Sequence, residues 1–304
     1  MTYIKSKFAH PNLPKNKLGY TRKEYEGSIS TLCAGCGHDS IGAAIVEACW
    51  EMNIEPHKVA KLSGIGCSSN LPGFINAYGI HSLHGRAVLV ATGAHLANTD
   101  LKTIITGGDG DGYGIGLGHL MHAMRRNLDV TYIVMDNQIY GLTTGQTSPT
   151  TTVGHKTKST PQGNLESPLN PMALAMTAGA TYVARAFSGE QKHMADVIAN
   201  AIAHKGFSLV DVFSPCVTFN KVNGYPFFKE RVYKLEDENW DPTDFHKSMD
   251  KAFEFGDRIP LGVIYKADMP TYEDHEPVLQ KGPLVKQPLQ ADKKTFDSFI
   301  EELI

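Results

Sequence analysis

A chain of 304 residues with 29 basic against 32 acidic side chains, a net charge of −3 and no basic block argues against nucleic acid or any other polyanion as a partner. No apolar run approaches the length of a membrane span, and the basic start from Met1 to Lys7 is not followed by the apolar stretch of a signal peptide, so a cytoplasmic protein is expected, large enough to bury about three-quarters of its unfolded surface. Five cysteines in that compartment speak against a disulfide framework and for metal or redox use.

Residues 1–30 are polar, carry Pro11, Pro14 and Gly19, and read as an arm lying on the body or on a partner. Cys33 and Cys36 then occupy the turn that enters a helix with Ile41, Ala44, Ile45, Ala48, Cys49 and Met52 on one face, and Asp39 or Ser40 is the expected N-cap. Cys49, on the apolar face, reads as a small buried hydrophobe. A strand over 59–63 ends in the glycine-marked turn Gly64-Ile65-Gly66-Cys67-Ser68-Ser69-Asn70. His84, Gly85 and Arg86 lead into a helix whose small residues, among them Ala87, Ala91 and Ala94, suit close packing on a sheet.

The next stretch organises the chain. A strand over 102–106, a helix over 116–127 and a strand over 130–135 make a strand–helix–strand unit, hence a parallel pair with a crevice outside its carboxyl ends. The first strand runs into Gly108-Asp109-Gly110-Asp111 and the second into Asp136-Asn137-Gln138-Ile139-Tyr140, so Asp109 and Asn137 should face one crevice. A carboxylate and an amide oxygen are hard donors for a magnesium ion shared with phosphate oxygens. Gly110, Gly112, Gly114 and Gly116 let backbone N–H groups approach an anion closely. The plainer reading is a surface glycine loop beside an ordinary Asp-Asn turn.

From Gly141 to Pro161 no periodicity is visible, which in a compact α/β body points to a functional loop. The alternation resumes with a helix over 171–178, a strand over 181–185, a helix over 189–204 and a strand over 207–213 that ends in Ser214-Pro215-Cys216. The expected fold is α/β, a doubly wound and mostly parallel sheet. Its domain spans 31–224; residues 225–304, aromatic and charged at first and proline-rich over 270–290, read as an extension that packs on a partner subunit.

Cys33, Cys36, Cys67 and Cys216 all fall in turns beside predicted elements. Four thiolates can hold zinc or an iron–sulfur cluster, and their spacing alone leaves both open. A zinc-stapled binding protein with a nucleotide-phosphate loop at 108–110 is the rival from another class; it leaves Asn137 and residues 141–146 without a purpose.

Gly108-Asp109-Gly110, then twenty-six residues, then Asn137 resembles the thiamine diphosphate and magnesium motif. The resemblance implies a metal held by the side chains of Asp109 and Asn137 and the carbonyl of Ile139, in a diphosphate-binding domain. The wider series resembles the β subunit of the 2-oxoacid:ferredoxin oxidoreductases. It consists of Cys-x-Gly-Cys-Gly-His at 33–38, Gly-Ile-Gly-Cys-Ser at 64–68, His84-Gly85-Arg86, Gly108-Asp109-Gly110-Asp111, Tyr140-Gly141-Leu142-Thr143 with Gly145-Gln146, and Ser214-Pro215-Cys216, covering roughly 32–221.

That resemblance implies a [4Fe-4S] cluster on Cys33, Cys36, Cys67 and Cys216, with Cys49 at no ligand position. It implies thiamine diphosphate and Mg2+ contacted by Gly108, Asp109, Gly110, Asp111, Asn137, Ile139, Gly141 and Leu142. It further implies oxidative decarboxylation of a 2-oxoacid with coenzyme A, electrons leaving to ferredoxin. The run from Lys156 to Pro161 looks most like members that act on 2-oxoglutarate, whereas Asn70 replaces a basic residue of relatives that read the substrate carboxylate; pyruvate or branched-chain 2-oxoacids are the alternative substrates. Asn70, His84 and Arg86 are the candidate catalytic residues, with Lys156 and Lys158 as further carboxylate donors. No residue matches the glutamate that activates the aminopyrimidine, so an α subunit is expected to supply it, in an α/β heterodimer or a dimer of such heterodimers.

Overall fold

The structure is a computed structural model that describes residues 12–288 and 290–304; the expected role of residues 1–11 as part of an arm lies outside the described residues. The remainder of the arm rests on the body: the Asn16 side-chain amide donates to the Tyr25 hydroxyl and to the Trp50 carbonyl, each at 3.0 Å, and Glu26 bridges to Ile75.

In chain order the elements are α1 (His38–Glu51), β1 (Val59–Ser63), β2 (Tyr78–His81), α2 (Ala87–Ala97), β3 (Lys102–Gly108), α3 (Leu117–Arg126) and β4 (Val130–Asp136). There follow α4 (Pro171–Ala178), β5 (Tyr182–Phe187), α5 (Gln191–Ala203), β6 (Ser208–Phe213), α6 (Tyr225–Lys229) and β7 (Val232–Lys234). The chain closes with α7 (Phe245–Phe253), β8 (Ile259–Lys266), α8 (Tyr272–His275) and α9 (Lys293–Leu303). The strands form one sheet in the order β2-β1-β3-β4-β6-β5-β8-β7, parallel at every pairing except β5 with β8.

Strand periodicity sorts the core into two layers. Ile105, Tyr132, Val134 and Val183 face α2, α3 and α4, while Ile104, Ile133, Val210 and Val212 face α1 and α5. Helices on both faces of a parallel sheet are the doubly wound arrangement expected, and they bury β3 to β6 on both sides.

Two expectations need correction. The N-cap of α1 is Gly37, at φ 85°, and not Asp39 or Ser40, which lie within the first turn. Glycine has no side chain to cap the helix, so the first turn is left without a side-chain cap. Second, β2 was not expected: all four of its residues are exposed, so no apolar alternation marks it. Beyond residue 224 the chain adds β7 and β8 to the sheet, outside β5. Only the chain from about residue 267 leaves the sheet as a tail.

Candidate functional site

β1, β3 and β4 are neighbours and parallel, so the turns that follow them share one rim, where they line a cleft of about 760 Å³. Asp109, just after β3, is 2% exposed. Burial pushes its carboxyl up to about 6, against hydrogen bonds from Ser148 and Thr150 that favour the ionised form. Among the described residues no lysine or arginine offsets the charge, so the carboxylate fits a cation supplied from outside. Thr150 Oγ1 lies 2.8 Å from Asp109 Oδ2 and 2.8 Å from Asp136 Oδ1, joining two buried carboxyl groups. Burial and the charge of Asp109 hold the Asp136 carboxyl well above its usual range.

After β4 the chain turns sharply. Asn137 Oδ1 accepts the Ile139 N–H at 3.1 Å and keeps a second lone pair for another partner. Gln138 sits at φ 58°, a left-handed conformation that costs a non-glycine residue roughly 1–3 kcal/mol. The surroundings hold it there. Its carbonyl accepts from Thr151 Oγ1 at 2.7 Å, its side-chain oxygen accepts from Asn223 Nδ2 at 2.6 Å, and Asn220 Nδ2 donates to the Asn137 carbonyl at 3.1 Å. Carboxylate, amide oxygen and the nearby Ile139 carbonyl form a hard-oxygen donor set suited to Mg2+. Ser68, which also lines the cleft, has a buried hydroxyl without a partner, as a phosphate-bearing ligand would require.

The turn after β3 is close-packed. A Cβ on Gly110 would lie 2.1 Å from the Tyr140 ring, whose hydroxyl donates to the Gly110 carbonyl at 3.2 Å. Asp111 lines the cleft, but its Oδ1 accepts the N–H groups of Ile65 (2.9 Å) and Gly85 (2.7 Å). It therefore ties the turn after β1 to the entry of α2.

Cys33, Cys36, Cys67 and Cys216 line a second cavity, of about 640 Å³, next to the cleft. All four are free thiols. Burial raises the Cys36 and Cys67 thiols, and each is raised further by the other cysteines of the group, as mutual proximity demands. A Cβ on Gly141 would lie 3.7 Å from both Cys67 Sγ and Cys216 Sγ. The four sulfurs line one cavity, and among the described residues no group of three or more His, Cys, Asp or Glu side chains is placed to hold a single metal ion. Cys49 stands apart in the core, its thiol pushed by burial up to about 12. His38 also lines the cavity, and burial lowers its ring to about 4, so it is neutral. Cys67, Asn137, Gly141 and Leu142 line both cavities, which therefore share a wall.

Comparison with known proteins agrees with this geometry. Residues 64–212 match the family of the thiamine pyrophosphate enzyme C-terminal TPP binding domain, and residues 216–281 match the family of the C-terminal region of the pyruvate ferredoxin oxidoreductase beta chain. The 2-oxoacid:ferredoxin oxidoreductase subunit beta of Saccharolobus solfataricus is 46% identical over 254 residues, 79% of this chain and 83% of that protein. The 2-oxoglutarate synthase subunit KorB of Archaeoglobus fulgidus is 35% identical over 241 residues, 79% of this chain and 83% of that one. A solved structure of the 2-oxoglutarate:ferredoxin oxidoreductase of Magnetococcus marinus, with 2-oxoglutarate, coenzyme A and succinyl-CoA bound, superposes with a TM-score of 0.86 at 39% identity, covering 96% of this chain and 99% of that one. The chain belongs to the β subunits of the 2-oxoacid:ferredoxin oxidoreductases.

In this β subunit Gly108, Asp109, Gly110, Asp111, Asn137, Ile139, Gly141 and Leu142 all line the cleft. The three candidate catalytic residues separate. His84 lies on the cleft wall, its Nδ1 3.2 Å from Asp111 Oδ1 and 3.3 Å from the Ile65 carbonyl. Asn70 lines the thiol cavity instead, donating to the Cys67 carbonyl at 3.4 Å. Arg86 is not among the residues that line either cavity: it caps α2, and its guanidinium donates to His119 Nε2 at 2.9 Å. Lys156 and Lys158 stand exposed on the long loop.

Sequence reading missed Thr150, Ser68 and the two asparagines Asn220 and Asn223. It also missed a buried group behind the cleft, where Tyr113 donates to Asp211 Oδ1 at 2.8 Å and Arg185 lies nearby over the Phe213 ring. A signal for that group was present: Asp211 and Arg185 each interrupt an apolar strand.

Proposed function

We propose that this β subunit serves a coenzyme A-dependent oxidative decarboxylation of 2-oxoglutarate, holding the diphosphate half of thiamine diphosphate through Mg2+ and a [4Fe-4S] cluster beside it. Asp109 Oδ, Asn137 Oδ1 and the Ile139 carbonyl would hold the metal, and Ser68 Oγ with the N–H groups after β3 would meet the diphosphate. Cys33, Cys36, Cys67 and Cys216 would hold the cluster. The thiazolium supplies an electron sink for decarboxylation, and the cluster accepts the electrons one at a time.

The observation that carries this reading is the shared wall. Asn137, on the metal side, and Cys67, on the thiol side, both border the two cavities, as do Gly141 and Leu142. Gly141 has no side chain to separate the two sites further. His84 and Tyr140 also wall the cleft, their ring centroids 6.1 Å apart. The α subunit supplies the pyrimidine-activating glutamate, and the electrons leave to ferredoxin.

The substrate assignment is supported by the relatives that act on 2-oxoglutarate and by the bound ligands of the Magnetococcus structure. The α/β complex, assayed anaerobically with coenzyme A and ferredoxin, should reduce ferredoxin fastest with 2-oxoglutarate; faster turnover of pyruvate or a branched-chain 2-oxoacid would overturn the substrate, and a colourless complex carrying stoichiometric zinc would overturn the cluster. The β subunit alone should be inactive, and turnover by it alone would refute the shared active site.

A further inference from the structure

His38 is two residues beyond Cys36 and is the first residue of α1. It is 2% exposed and lines the thiol cavity, and neither of its ring nitrogens has a hydrogen-bond partner. An imidazole in any protonation state carries at least one N–H, and buried donors are almost always paired. The two amide side chains of that cavity are otherwise engaged: Asn70 donates to the Cys67 carbonyl and Asn137 accepts from the Ile139 N–H. His38 shares this cavity with all four sulfurs.

Backbone N–H groups already meet sulfurs of this cavity: the Phe219 N–H donates to Cys216 Sγ at 3.4 Å, and backbone N–H groups also favour the thiolates of Cys36 and Cys67. The cavity is thus built to present N–H donors to sulfur, and the imidazole is the donor left over. Resting on the cluster reading above, we propose that His38 donates its ring N–H to a sulfur of the group held by the four cysteines and thereby keeps that group's reduction potential high. A hydrogen bond to sulfur is stronger when the cluster carries the added electron, so it favours the reduced state. His38 is in this sense a positioning and tuning residue: it touches neither substrate nor thiamine.

The test is an EPR-monitored redox titration of the assembled α/β complex in three forms: wild type, His38→Phe, which keeps a ring without a donor, and His38→Gln, which keeps an N–H. With equal iron content, His38→Phe should be harder to reduce: at the wild-type midpoint its ratio of reduced to oxidised cluster should fall about tenfold, equal to about 59 mV for a one-electron couple. His38→Gln should recover most of that shift. An unchanged midpoint in a fully loaded His38→Phe complex overturns the proposal, as does an equal shift in both variants. If His38→Phe does not assemble, pulsed EPR on the reduced wild type decides: an imidazole nitrogen coupling with an exchangeable proton supports the contact, and its absence overturns it. A wild type without iron and sulfide would overturn the cluster reading itself, which the iron content separates from failure of the His38 contact.

Discussion

The two ends of the one sheet bury polar groups in opposite ways. At the amino ends of the strands the buried polar side chains are matched. Asn127 accepts from the Phe207 N–H (2.9 Å) and Thr181 Oγ1 (2.7 Å) while donating to the carbonyls of Met269 (3.3 Å) and Pro270 (3.1 Å), and His95 pairs with Glu273. At the carboxyl ends Ser68 Oγ, Asp111 Oδ2, Tyr132 Oη, Asp211 Oδ2 and both His38 nitrogens go without partners. Exceptions at the amino end include Glu273 Oε2 and Arg22 Nε, the latter beside Glu47 in the last turns of α1. The difference teaches where ligands belong: a protein that can satisfy buried polar groups at one end of a sheet leaves them open at the other because something else completes them.

The sharpest way to break this comparison is to remove the charge at the cleft. Asp109→Asn keeps the size of the side chain and should lower ferredoxin reduction by the α/β complex by roughly a thousandfold or more, the several kcal/mol that a metal-borne charge supplies. The same change should help the metal-free fold. Because burial raises the folded Asp109 pKa from 3.8 to about 6, its contribution to stability is whole below 3.8 and is lost as pH rises through about 6. Metal-free wild type should therefore lose stability across that window relative to Asp109→Asn, as thermal melts would show, and parallel curves would refute the account.

Glycines at the two ends sharpen the contrast. Gly206, at φ 120°, has a would-be Cβ 2.6 Å from both Asn127 Oδ1 and Thr181 Oγ1, so Gly206→Ala should cost about 2–4 kcal/mol of stability with little effect on cofactor affinity in molecules that remain folded. Gly110→Ala should do the reverse, displacing Tyr140 and weakening thiamine diphosphate binding by about tenfold with a smaller effect on melting. Thr150→Val tests a subtler point. One hydroxyl carries one proton, so Thr150 can donate to Asp109 or to Asp136 but not to both; the other contact needs a proton from elsewhere. Losing the hydroxyl should weaken Mg2+ binding by about tenfold, measured by calorimetry, and Thr150→Ser should restore it.

Much of this was legible in the chain. Apolar runs separated by glycine turns announce β3, α3 and β4, and their carboxyl-end turns carry Asp109 and Asn137 to one cleft as expected. The four cysteines meet because each lies in a turn at that same rim. Arg86 was less legible: two residues after His84 the chain has begun a helix, and the guanidinium donates to His119 on α3. Thr150 was hidden in a loop without periodicity, where only folding decides which hydroxyl meets a carboxylate. β8 was hidden for another reason. Its pairing with β5 is antiparallel and far along the chain, and no local pattern encodes a partner.

The smallest effect expected lies at the matched end, and it bears on how the tail is held. Glu273, on α8, accepts from His95 on α2 and from the Asp129 N–H at 3.2 Å, pinning the tail across the amino ends of β3 and β4. Burial alone would raise its carboxyl, but the hydrogen bond and charge of His95 outweigh that and leave it below the usual 4.5. A lowered folded pKa means that the stabilisation is present above 4.5 and fades as pH falls through the folded value. Glu273→Gln should therefore cost about 1–2 kcal/mol at pH 7 in thermal melts. The gap to wild type should narrow as the pH is taken below 4.5, because the wild-type carboxyl then becomes as neutral as the amide. Mg2+ and thiamine diphosphate affinity should stay put, since His95 and Glu273 lie across the sheet from the cleft. A fall in cofactor affinity equal to the loss of stability would mean that the two ends are coupled through the strands, and the contrast between a matched end and an open one would no longer separate structure from function.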